Sequence, residues 1–242
     1  LKSFDADGFT LGTLGGSNGN TETFAAWNWL AGGTPTATNS GGQNPTSGSV
    51  MIDGSASTAA LASSNIYPTK MSVNTTAGFS IVSYTGNGSA DQTIAHGLSS
   101  PPELTIIKDR ESNSNNNQWQ IGSSAAGDDY GYLSTTGAFA GTAGVFPTSG
   151  DATTLTIGRT GNVAKNTNES GDDFIMYNFH SVEGYCKVGK FTGNGADDGP
   201  FVFTGFRPAW VMIKRTDAAN DWHIMDDQRN PINVMDGLLF AN

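Results

Sequence analysis

Gly78-Phe79-Ser80-Ile81-Val82-Ser83-Tyr84-Thr85-Gly86-Asn87-Gly88 is the stretch on which the reading of this chain turns. Residues 79–84 alternate side by side with the period of two that marks a strand with one buried face. Thr85-Gly86-Asn87-Gly88 then closes the strand, because Asn and Gly tolerate the positive φ of tight turns. The same turn returns as Thr192-Gly193-Asn194-Gly195, about 107 residues later. The likeness extends on both sides. Residues 79–84 face 186–191, Pro102 and the strand to Lys108 face Pro208 and the strand to Lys214, and Trp119 faces Trp222.

A second pair lies elsewhere. Phe9-Thr10-Leu11-Gly12, followed by residues 20–29, resembles Leu155-Thr156-Ile157-Gly158, followed by residues 168–179. Ala26-Trp27-Asn28-Trp29 stands where Met176-Tyr177-Asn178-Phe179 stands. The organisation that follows has four parts. Residues 1–33 are the C-terminal half of one repeat, and 34–77 a Gly/Ser/Thr-rich linker. Residues 78–184 are a complete repeat, and 185–242 the N-terminal half of a further one. The two halves add up to nearly one domain. They can meet within one chain, complete a neighbouring chain, or belong to a longer repeat protein. An unfinished sandwich exposes strand edges and a bare apolar face, and both seek partners.

Period-two alternation recurs in residues 104–109, 153–158, 173–180, 201–204 and 209–214, with turn clusters between, including 112–117. Residues 50–53 suit an edge strand, 58–62 one helical turn, and 66–71 an irregular stretch around Pro68. The expected fold class is all-β: an antiparallel β-sandwich of jelly-roll or concanavalin-like type, one complete repeat plus two complementary half-repeats.

Composition bounds the function. In 242 residues, 12 Lys and Arg stand against 22 Asp and Glu, a net charge of −10 that disfavours nucleic acid and anionic membranes as partners. No apolar run approaches the length of a membrane span. No basic-then-apolar leader precedes the first strand. The single cysteine, Cys186, excludes an intrachain disulfide and a Cys-rich zinc site. It faces Phe79 in the repeat and reads as a small core side chain.

Candidate chemistry is sparse. His96, His180 and His223 have no neighbouring ligand at metal spacing, and the repeat places Thr204 opposite His96. Carboxylates adjoin at Asp128-Asp129, Asp172-Asp173, Asp197-Asp198 and Asp226-Asp227, and Asp5 and Asp7 flank a turn. Calcium is the one cofactor these would suit, but no calcium-loop spacing is present. There is no nucleophile elbow and no phosphate loop. No catalytic and no metal residue is therefore expected. Trp27, Trp29, Trp119, Trp210 and Trp222 are the candidate site residues, as core or interface aromatics or as sugar-stacking platforms. Three Asn-x-Ser/Thr matches, at Asn74, Asn87 and Asn168, are expected by chance in so polar a chain.

The stretch 78–88, Gly97-Leu98 with Pro101-Pro102, Ala25 to Gly33 and Gly199 to Pro208 together resemble repeat domains of virion proteins from tailed phages of marine and freshwater bacteria. The resemblance covers most of residues 1–33 and 76–242. It implies a concanavalin-type jelly roll, no assigned activity and no catalytic residues. The expected function is a non-enzymatic virion protein, a fibre, appendage or outer-surface subunit, assembling by strand complementation and aromatic burial. The alternatives are a carbohydrate-binding attachment module and a subunit of an extracellular filament. Partners would be further copies, other virion proteins or a cell-surface glycan. The location would be the virion surface or extracellular.

Overall fold

The structure is a computed structural model that describes residues 1–111, 118–127, 129–141, 150–158, 166–229 and 237–242. The expected turn at 112–117 and Asp128 lie outside the described residues. Among the described residues the strands are, in chain order, β1 (Ser3–Phe4), β2 (Phe9–Thr10), β3 (Val50–Ile52), β4 (Ser55–Ala56), β5 (Lys70–Asn74), β6 (Phe79–Thr85), β7 (Gln92–Ala95), β8 (Leu104–Asp109), β9 (Gln120–Ser123), β10 (Tyr130–Tyr132), β11 (Thr154–Ile157), β12 (Asp173–Phe179), β13 (Trp210–Lys214), β14 (Trp222–Asp226) and β15 (Leu239–Phe240). Helix among the described residues is limited to one turn at Gly15–Asn18, a 3-10 turn at Ser124–Ala126 and residues 166–168. The fold class is all-β, with a sandwich-like stacking of antiparallel sheets.

The main sheet has eight strands in the order β10-β9-β8-β12-β6-β5-β3-β4. Every neighbouring pair in it is antiparallel except β3 with β5. Alternation along β12 sorts its side chains. Phe174, Met176 and Asn178 are buried on the inner face, while Ile175, Tyr177 and Phe179 stay half-buried on the outer one. Over the inner face lies the two-stranded sheet β7–β11, with Ile94 opposite Leu155. Val50, Met71, Val73, Val82, Tyr84, Ile107, Phe174 and Met176 meet Ile94, Leu155 and Ile157 there in one core. Tyr84 and Phe174 stack at 5.2 Å. The Tyr84 hydroxyl donates to the Thr167 carbonyl at 2.6 Å, so its polar end is satisfied.

Residues 34–77 correct the linker reading. They supply β3, β4 and β5, and Val50, Met71 and Val73 are buried in the sandwich core. The Ser/Thr/Gly composition masks a local signal. Asp53 and Gly54 both have positive φ and form the two-residue turn between β3 and β4. The irregular stretch expected at 66–71 gives way to β5 after Pro68, and 58–62 has no helix. The strands expected at 153–158, 173–180 and 209–214 are present as β11, β12 and β13.

Across the outer face of β8 and β9 sits a third sheet, β13-β14-β15. Trp222 and Met212 pack there with Leu104, Ile106, Ile121, Leu133 and Phe139. The three-stranded sheet reproduces β8-β9-β10 in order and register. Ile106 pairs with Ile121 and Met212 with Ile224; Gly131 then opposes Ile121 as Leu239 opposes Ile224. The sequence likeness thus extends to structure in these three strands.

His96 closes the far end of the inner layer. It is fully buried; Nδ1 accepts from the Leu98 amide at 3.1 Å, so Nε2 carries the proton and donates to the Asp151 carbonyl at 3.2 Å. Burial lowers its pKa below the ordinary value of 6.5. The folded state therefore binds fewer protons than the unfolded chain as pH falls through that value. Stability contributed by neutral His96 is intact above about pH 6.5 and is lost progressively below it. Urea midpoints should fall between pH 7.5 and 5.5 in the parent chain and fall less in His96→Gln. In the same assay, Phe174→Ala should destabilise the fold by about 3–5 kcal/mol through the cavity it opens.

Candidate functional site

The repeated turn shows what a complete copy demands. Beside Gly86, a Cβ would stand 2.1 Å from the Glu169 carbonyl oxygen, so only glycine lets the two backbones approach. Asn87 and Asn168 bond reciprocally: the Asn87 amide nitrogen donates to Asn168 Oδ1, and Asn168 Nδ2 donates to Asn87 Oδ1, each at 2.9 Å. Asn168 Nδ2 also reaches the Ser89 carbonyl. This lock ties the end of β6 to the segment that enters β12. It also accounts for two of the chance Asn-x-Ser matches as structural asparagines.

In the C-terminal partial copy, half of that lock is present and half is missing. Asn194 keeps the local turn, accepting from the Ala196 amide as Asn87 accepts from Ser89. Gly195 keeps the positive φ of Gly88. Yet among the described residues nothing lies within 4 Å of a Cβ placed on Gly193, the counterpart of Gly86. The N-terminal partial copy behaves alike. A Cβ on Gly158 would meet Asn168 Nδ2 at 2.9 Å, whereas one on its counterpart Gly12 would meet none of the described residues within 4 Å.

The apolar side chains tell the same story. Phe24, two residues before Ala26-Trp27-Asn28-Trp29, is 49% exposed where its counterpart Phe174 is 0%. Phe191 is 49% exposed where Tyr84 is 1%, and Phe203 is 78% exposed where Ala95 is 2%. The strands expected at 26–29 and 201–204 are absent, as both segments lack strand hydrogen bonding. The physical reason is that a strand needs a partner edge. β12 lies between β6 and β8, and β7 pairs with β11, whereas among the described residues β2 pairs with β1 alone and β13 with β14 alone.

Each tryptophan can now be placed. Trp222 is buried, and its indole N–H donates to the Tyr132 carbonyl at 2.9 Å. Trp29 packs against Phe179 at 5.9 Å and edge-on against Trp210 at 5.7 Å. Trp27 is half-buried. Trp119 is exposed and stacks on Tyr177 at 6.2 Å. The structure brings Trp29 and Trp210 together and leaves the others apart from them. Residues 30–33 anchor this meeting point: Asn74 Nδ2 donates to the Leu30 carbonyl and Ser72 Oγ to the Gly33 carbonyl.

The titratable candidates serve the scaffold. Asp173 accepts from Thr85 Oγ1 at 2.8 Å, and Asp226 pairs with Arg229 at 2.7 Å. Partial burial and the neighbouring Asp109 push the Asp172 carboxyl up. Asp151 is held down at about 2 by the amides of Thr153 and Thr154 and the Thr153 hydroxyl. His180 Nδ1 faces the Ser181 carbonyl at 2.8 Å, and His223 packs against Phe240. Cys186 is half-buried, with its thiol pushed up by burial and by Glu103. Among the described residues, no group of three His, Cys, Asp or Glu is placed to hold a metal ion. Among them also, no helix is long and apolar enough to cross a membrane.

The chain belongs to the family described as a domain of unknown function (DUF7483), whose model it matches over residues 1–242. No curated protein and no solved structure matches it. The match runs across the complete and the partial copies alike.

Gly86→Ala should destabilise the fold by about 1–3 kcal/mol, because backbone must move to admit the Cβ. Gly193→Ala, at the equivalent position with open space, should stay within about 0.5 kcal/mol in the monomer. Denaturant titration of the two variants at low protein concentration checks the contrast.

Proposed function

We propose that this member of the DUF7483 family is a non-enzymatic structural protein that assembles by β-strand complementation and aromatic burial. The virion surface of a phage is its proposed setting, a part of the reading carried by the sequence resemblance. The supporting observation is the exposure of Phe24, Phe191 and Phe203 at positions whose repeat counterparts are buried. Such side chains are built for a core, and burying them contributes about 25 cal/mol for each Å² of apolar surface. A face of this kind on a folded subunit favours association. The net charge of −10 keeps the free subunit soluble without favouring phosphate polymers.

Carbohydrate attachment is the second reading. Trp119 is 39% exposed and lies at an interplanar angle of 24° on Tyr177, a flat aromatic surface on the outer side of the main sheet. Its repeat counterpart Trp222 is buried, so the exposure belongs to this copy alone. Neutral pyranose rings are the ligand chemistry such a surface suits.

Light scattering with negative-stain microscopy on the purified chain tests the first reading. Assemblies that persist on dilution are expected, and Gly193→Ala should weaken them while leaving the monomer folded. A compact monomer at all concentrations would overturn the reading. A glycan screen in which binding is lost in Trp119→Ala would then establish the second.

A further inference from the structure

We propose that Asn194 is a self-modifying site: the Gly195 amide nitrogen attacks its side chain and expels ammonia, while the fold guards the identical Asn87 from the same reaction. The site is independent of the assembly reading above.

An asparagine followed by glycine is the pair most open to this chemistry, because glycine has no Cβ to keep its nitrogen from the neighbouring side chain. The glycine N–H gives its proton to solvent base, and the nitrogen forms a bond to the asparagine Cγ. The Cγ–Nδ2 bond then breaks, and Nδ2 takes up a proton and leaves as ammonia. The product is a five-membered succinimide. Water opens the ring, at Cγ to give aspartate or at the main-chain carbonyl carbon to give isoaspartate. In balance, one side-chain amide and one water become one carboxylic acid and one ammonia, with nothing oxidised or reduced.

The two Thr-Gly-Asn-Gly turns share their local geometry. In each, the asparagine Oδ1 accepts from the amide two residues on, at 2.9 Å for Asn87 and 3.1 Å for Asn194, and the glycine that follows has positive φ. The attacking nitrogen separates them. The Gly88 amide donates to the Asn168 carbonyl at 2.9 Å, so its proton is committed to a residue far along the chain. The electrophile is held as well. Asn87 Oδ1 accepts from Asn168 Nδ2 at 2.9 Å, and Asn87 Nδ2 donates to Gln92 Oε1 at 3.0 Å. Asn168 is itself fully buried. A Cβ on Gly88 would stand 2.9 Å from the Ser170 Cβ, which leaves this turn little room to swing.

Around Asn194 the bonds are of another kind. Its Nδ2 donates to the Asp198 carbonyl at 2.9 Å, and its Oδ1 accepts from the Ala196 amide, so both stay within residues 194–198. Residues 191–200 are all exposed and lie outside strand and helix. Local, solvated bonds of that sort open at little cost in free energy, whereas the Asn168 lock opens only with the entry to β12. Conversion adds a negative charge beside Asp197 and Asp198. The isoaspartate form also lengthens the main chain by one methylene, which ends the turn. Asn18-Gly19 is a further Asn-Gly pair, but Asn18 closes a helical turn, so the matched comparison is between Asn87 and Asn194.

Peptide mapping by mass spectrometry tests this on the parent chain, held at mildly alkaline pH and low protein concentration and sampled over time. The peptide carrying Asn194 should gain aspartate and isoaspartate at least about tenfold faster than the one carrying Asn87, a ratio set by about 1.4 kcal/mol of difference in opening free energy. The same chain unfolded in urea should convert both asparagines at like rates. Asn168→Ala should speed conversion at Asn87 and leave Asn194 as it was. Gly195→Ala should slow conversion at Asn194, because its Cβ obstructs the nitrogen. Equal rates in the folded chain, or Asn87 ahead, would overturn the proposal. So would a difference that persists in urea, which traces to flanking sequence and not to the guard. An unchanged rate in Gly195→Ala would overturn ring closure as the route. The comparison of folded and unfolded parent chain needs no variant, so it decides the matter even where Asn168→Ala fails to fold.

Discussion

Strand β12 is hydrogen-bonded on both edges, to β6 and to β8, and the rest of the structure depends on that double pairing. A strand satisfied on both sides has no backbone group left to seek solvent. It also fixes which side chains face inward, because a slip of one residue would exchange the two faces. Phe174 and Met176 enter the core only in the observed register. Tyr84 then stacks on Phe174, and the Asn87–Asn168 lock holds the entry to the strand.

The partial copies show the same chemistry without this constraint. β13, β14 and β15 keep the order and register of their counterparts, because each of those pairings is available within residues 185–242. Among the described residues, no strand pairs with β13 as β12 pairs with β8. Residues 23–29 and 201–203 have strand-like sequences and no strand structure, since pleated backbone is stable only beside another edge. The result is a surface on which Phe24, Phe191 and Phe203 are exposed, and the proposed association would bury it.

The outer face of the main sheet adds a second layer of meaning. Leu104, Ile106 and Ile121 are covered by Trp222 and Met212, so one copy of the repeat packs on the next. Trp29 covers the Phe79 and Phe179 end of the same face. Between these covers, Trp119 and Tyr177 remain accessible. The packing of the three-stranded sheet and the Trp119–Tyr177 stack thus share one sheet face.

Strand positions with clear alternation, such as 79–84, 104–109 and 173–179, were legible in the sequence because period two and Gly/Asn turns are local properties. The likeness of residues 208–224 to 102–121 was legible too, and β13 and β14 pair in the register of β8 and β9. The role of residues 34–77 was not, since a Ser/Thr-rich strand such as β5 differs from a linker only in what lies beside it. Nor was the fate of the five tryptophans, which share a residue type but range from the buried Trp222 to the exposed Trp119. By itself the sequence determined the alphabet of the fold: strands and turns. Only the tertiary structure decided which edges are filled, because strand pairing is a long-range choice made by the partner available, and no local pattern encodes an empty edge.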